Sequence, residues 1–309
     1  MLNPILAFSA TRRMRSFKTL LIVAAWLGVM LGVALLIMRY LFRSEVSIYG
    51  LRSGVSCYNA LMIAQFILIV LIAPAMTSGA IAGERERQTL ELLLVTNTRS
   101  FRIVAGKAME SFAMLALLIV TGFPVMCLTM MTGAVTILQI LAGELFLMAI
   151  AFAAVCVGVL ASSLARSTVT SGVLSYLIIF AIAVVTTLPI FIGFSDEMAN
   201  LIYDSNKLAA LSQAEVLKMI SPLLYFNPGY GLAALLQGQT NFFGDLLVYQ
   251  EIGRILCAFK LMDRAGGETI ALISCGAIVI LGILLLLVAA LVVKATGLKP
   301  AKSKSASAG

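Results

Sequence analysis

Apolar residues fall in six long runs, at about residues 19–38, 60–82, 108–133, 138–164, 169–194 and 269–293. As an α-helix rising about 1.5 Å per residue, each can cross a hydrocarbon core of roughly 30 Å, some with tilt. The pattern predicts an all-α integral membrane protein whose six transmembrane helices lie within residues 19–294. Six crossings put both termini on one side. The first run begins late, is full length and has no small-residue cleavage site after it, so it reads as a retained span.

The polar intervals differ in character. Residues 1–18 open with Asn3-Pro4, an N-cap followed by proline at the first helical position. Leu6, Ala10, Met14 and Phe17 then share one face, with Arg12 and Arg15 opposite. This predicts either an interfacial amphipathic helix or the ordinary basic flank of a span. Residues 195–268 are the one large non-spanning region, expected to be helical and extracytoplasmic. In it Ser212 and Glu215 form a capping box for a short helix ending near Ile220. Asn227-Pro228 repeats the cap-and-proline device, and the apolar stretch to Gly238 is too short to cross. It is re-entrant or lies at the outer surface. An amphipathic helix is expected from Asp245 to about Met262, and residues 295–309 read as a disordered basic tail. There is no internal repeat and no inverted pair of broken spans.

The interval 83–100, between the second and third spans, is the most informative. Glu84, Arg85, Glu86 and Arg87 alternate in sign where the second span leaves the bilayer. Thr89 can cap a new helix that has Glu91 in its positively polarised first turn. Leu90, Leu93 and Leu94 share one apolar face, and Ser100 can cap the next span. Such a helix needs a receiver, either the membrane surface or a groove on a partner protein. Charges of both signs favour the protein, since anionic lipid rewards Lys and Arg without Glu.

Composition agrees with the bilayer reading: 61% of residues are hydrophobic and 12% charged, against about 45–50% and 25% in soluble domains. The net charge of +8 raises nucleic acid as a partner, but the basic residues flank apolar runs with no interleaved aromatic surface, which excludes it. With the termini cytoplasmic, the first outer loop with Arg39, Arg43 and Arg52 fits the positive-inside rule poorly, but the short inner segments together win by count, which favours that orientation. Histidine is absent, removing the commonest general base and metal ligand. No acidic pair or nucleophile–base set is visible, so no catalytic, cofactor-binding or metal residue is assigned. The five cysteines contain no C-x-x-C pair. Cys57 and Cys257 could pair across one membrane face; two unpaired thiols is the preferred reading.

The run from Glu84 through Thr96, followed by Arg102 and Gly106-Lys107, resembles the signature loop of type-2 ABC transporter permeases. The Asn-Pro start, the six spans and the outer region with its own Asn-Pro extend the resemblance over essentially the whole chain. It implies a permease subunit of an exporter in a prokaryotic plasma (inner) membrane, paired with an identical or related permease. It also implies two cytoplasmic ATPase subunits that carry ATP and Mg. By the same resemblance Thr89, Leu90, Glu91, Leu93 and Leu94 dock on the ATPase as a coupling helix. Glu84, Arg85, Glu86 and Arg87 then link the second span to it. The chain lacks a phosphate-binding loop of its own: its one Gly-Lys is followed by Ala108, without the earlier glycine.

Two ionisable residues lie inside apolar runs. Glu144, about two turns into the fourth span, is a candidate for pathway or gating, or sits at the outer interface. Glu110, near the inner end of the third, either lines a pathway or contacts the loop arginines. The competing function is an ion-coupled secondary transporter or channel, against which sparse intramembrane charge counts.

Overall fold

The computed structural model describes residues 17–41, 50–89, 100–133, 135–202, 221–240 and 264–297. Residues 1–16 of the predicted interfacial helix, most of the coupling helix with Leu90, Glu91, Leu93 and Leu94, the helices near 212–220 and 245–262, Cys257 and the tail beyond Gly297 lie outside them; residues 295–297, read as the start of that tail, continue the last helix.

The described residues are helical and contain no strand. In chain order they form α1 (Phe17–Leu41), α2 (Gly50–Thr77), the short α3 (Ala82–Glu86) and α4 (Ser100–Cys127), which continues into a 3-10 turn, Leu128–Thr132. Then come α5 (Ile137–Leu164), α6 (Thr168–Ile202), a 3-10 turn (Ser221–Phe226), α7 (Pro228–Thr240) and α8 (Arg264–Gly297). Among the described residues, six helices are long and apolar enough to cross a membrane. The second apolar run is broken by a turn after Thr77, so its last residues belong to a separate helix, α3.

Helix α5 is the hub of the bundle. Every residue from Ala154 to Ser163 is buried, the signature of a helix surrounded on all sides by others. Thr136 and Gln139 form a reciprocal capping box at its start. α2, α4, α6 and α8 pack around it, while α1 lies against α2 and α4. Contact between α2 and α5 is close enough to need glycine. A Cβ on Gly158 would lie 1.8 Å from Thr77 Oγ1, and one on Gly143 2.5 Å from the Met62 methyl. Small residues let helix backbones approach in a setting where the hydrophobic effect does not draw spans together.

α1 and α6 are peripheral. α6 shows a stripe of exposed Val169, Val173, Leu177, Phe180, Val184 and Leu188, one face of a helix turned outward. α7, too short to cross, packs on α8 and begins at Asn227, whose side-chain oxygen accepts from the backbone N–H groups of Gly229 (2.9 Å) and Tyr230 (3.3 Å). This is the cap that its Asn-Pro sequence predicts.

Candidate functional site: the charged elbow after the second span

The chain leaves α2 at Thr77, turns through Ser78–Ile81 and enters α3. The turn is fixed from the end of α5. Ser162 Oγ accepts the backbone N–H groups of Ile81 and Ala82, both at 2.9 Å, and donates to the Ser78 carbonyl at 3.0 Å. A single buried hydroxyl thus serves the first backbone donors of α3, which have no partner within the helix itself.

α3 ends in a Schellman arrangement. Thr89 N–H reaches the Glu84 carbonyl (3.0 Å), Gln88 N–H reaches that of Arg85 (3.1 Å), and Gln88 takes the left-handed conformation with φ 58°. Glycine is usual there, so the chain accepts some backbone strain to make this turn.

Among the described residues, three of the four alternating charges have partners inside the chain. Arg85 donates to the carbonyls of Ala165 (2.5 Å) and Ser163 (3.1 Å), at the carboxyl end of α5. Glu86 accepts from the backbone N–H (3.0 Å) and hydroxyl (3.1 Å) of Thr168, the first residue of α6. A cation therefore sits at the negative end of one helix dipole and an anion at the positive end of the next. Glu84 accepts from Lys107 Nζ of α4 at 3.0 Å and from the Thr89 hydroxyl at 2.5 Å. Arg87 is exposed beside them. The mixed signs, read from sequence as pointing to a protein partner, also have matches inside the chain: Glu84, Arg85 and Glu86 each meet a terminus or side chain of opposite polarity.

The elbow borders a cavity of about 470 Å³, lined by Gly79, Gly83, Glu84, Glu86, Arg87, Lys107, Glu110 and Thr168 among others. Glu110 lies on this polar wall with Lys107 and Arg87. Of the residues assigned to coupling, Glu84, Arg85, Glu86, Arg87 and Thr89 are brought together here. Thr89 turns its hydroxyl back to Glu84, closing α3 rather than standing apart from it.

A model of the ABC-2 family of transporter proteins matches residues 5–295. The chain belongs to the ABC-2 transporter family. This ABC-2 family protein is accordingly a multi-pass membrane permease, the transmembrane and not the catalytic subunit of an ABC transporter, a class that works with ATPase partners. Comparison with curated proteins gives no match.

Glu144 belongs to a different place. It lies 19 residues before Ser163 on α5, about 28 Å along the axis at 1.5 Å per residue. Its side chain is buried and accepts from Gln65 Nε2 of α2 at 3.0 Å. Toward the start of α5, Tyr58 donates to Gln239 Oε1 (2.8 Å), and Gln139 Nε2 donates to the Gln239 carbonyl (3.0 Å). Thr240 donates to Asn59 Oδ1 at 2.9 Å. Sequence reasoning missed this uncharged network because it looked for ionisable residues. The signal was available in Asn59, Gln65 and Gln139, amides placed in or beside apolar runs.

Proposed function

We propose that this ABC-2 permease is the export subunit of a transporter driven by a separate cytoplasmic ATPase, with both termini on the ATPase side. The observation that carries the reading is the wiring of the elbow. The segment 89–95, which the sequence marks as a capped helix with an apolar face, follows directly on a turn tied to α4, α5 and α6. Movement of a docked helix would reach Glu84 through Thr89, and from there Lys107, the end of α5 and the start of α6. Leu90, Leu93 and Leu94 supply the docking face in this reading, and Glu91 favours the first turn.

Two such permeases, identical or related, with two ATPase subunits make the working unit. The outward apolar stripe of α6 suits either lipid or a second permease, as a membrane-embedded assembly requires. The test is Leu93→Asp in the full chain, co-expressed with its ATPase subunit. The expected result is normal expression with loss of ATPase capture and of stimulated hydrolysis. Normal assembly and turnover would overturn the reading. Transport by the chain alone in liposomes, driven by an ion gradient without ATP, would replace it with the ion-coupled one.

A further inference from the structure

Trp26 of α1, Gln65 of α2, Gly122 of α4 and Glu144 of α5 meet inside the bundle. The indole nitrogen of Trp26 and the amide nitrogen of Gln65 lie 3.3 Å and 3.4 Å from the point a Gly122 Cβ would occupy. Gln65 Nε2 donates to Glu144 Oε2 at 3.0 Å. Trp26, Gln65 and Glu144 are 2%, 0% and 5% exposed, so no cargo enters between them. Three of their atoms are buried without a partner: Trp26 Nε1, Gln65 Oε1 and Glu144 Oε1. That is one donor and two acceptors in one cluster, where each unmet group is costly.

A single added proton would serve both orphaned acceptors of this inventory at once. Ionised, Glu144 is acceptor-only, and its second oxygen has nothing to accept from. Protonated at Oε1, it becomes a donor with the orphaned Gln65 oxygen as acceptor, while Gln65 still donates to Oε2. Acid and amide then form a doubly hydrogen-bonded pair. The same proton removes a negative charge that forms no ion pair with a basic side chain among the described residues. Among the described residues α1 contributes Trp26 and α4 Gly122 to the cluster, neither of which titrates. Among the described residues, Tyr58 of α2 is engaged with Gln239, and Cys275 and Glu268 of α8 border a separate cleft with Leu145 and Phe146, which Glu144 does not line.

We propose that Glu144, held by Gln65, is an intramembrane proton-binding site of this permease and carries its proton in the conformation described. The proton is the ligand; Gln65 selects it by presenting one donor and one acceptor to one carboxyl group. The proposal stands apart from the ATPase reading, since it concerns the chain alone.

Infrared spectroscopy of the purified full chain in lipid nanodiscs at pH 8 tests it, because exposed carboxyls are then ionised. The expected result is a carboxylic-acid carbonyl band that shifts in D2O and disappears in Glu144→Gln. Gln65→Leu should move that band, and assigns it if the Gln variant does not fold. Absence of an acid band in the wild type, which a bound water beside an ionised Glu144 would give, overturns the proposal. So does a band that survives Glu144→Gln unchanged.

Discussion

Glu86 and Thr168 stand 82 residues apart in sequence, yet the carboxylate of one receives both the backbone N–H and the hydroxyl of the other. The end of α3 thereby caps the start of α6, while the adjacent Arg85 closes the end of α5. The α5–α6 hairpin is held at both helix termini by neighbouring residues of a single helical turn. Glu86→Ala is expected to cost about 0.5–1 kcal/mol, the worth of an exposed cap with a favourable dipole contact. Amide hydrogen exchange at residues 168–171 reads it directly: exchange there should accelerate while α5 stays protected. Unchanged protection at the start of α6 would show that the bond carries nothing.

Ser162 should be more costly to lose, because it serves two buried backbone donors rather than one. Ser162→Ala leaves Ile81 and Ala82 N–H unmet, at about 1–3 kcal/mol for each buried group. Thermal unfolding in detergent or nanodiscs should show a larger drop than for Ser78→Ala, whose hydroxyl bonds only its own turn. Equal effects for the two would contradict the assignment.

Gln88 occupies a left-handed backbone position with φ 58°. Gln88→Gly is expected to gain about 1 kcal/mol, and Gln88→Val to lose at least as much, because a β-branched side chain tolerates that region poorly. Melting temperatures of the two variants, measured together, check the order.

Gly158 meets Thr77 so closely that an added methyl has no room, with Thr77 Oγ1 at 1.8 Å and its Cβ at 2.7 Å. Gly158→Ala should therefore destabilise by about 1–3 kcal/mol through overpacking. Thr77→Gly in the same chain should restore part of the loss. Failure of that rescue would mean the backbones, not the side chain, set the limit.

The spans were legible because hydropathy depends only on a run of residues of one kind. The Asn227 cap was legible because Asn-Pro is local in sequence, and the Thr136–Gln139 capping box is equally local. What the sequence could not yield is pairing across distance. The alternating charges of 84–87 were visible, but not that Arg85 and Glu86 address opposite ends of the α5–α6 turn about 80 residues away. Hydropathy runs on through Ala82 and carries no sign of the turn after Thr77. That break depends on Ser162, a residue no local pattern connects to it. Glu144 stood out as an ionisable residue, whereas Gln65 and Trp26, which define its surroundings, look unremarkable in an apolar run.

The central claim is that the elbow transmits ATPase movement into the spans, and Glu86→Lys tests it most directly. The substitution puts a cation at the positive end of α6 and leaves residues 90–94, the proposed docking face, unchanged in sequence. Stimulated ATP hydrolysis is measured in proteoliposomes that hold the permease with its co-purified ATPase subunit. The account predicts that the ATPase still co-purifies with the variant while stimulation falls at least tenfold. Wild-type stimulation in a normally assembled complex would contradict it.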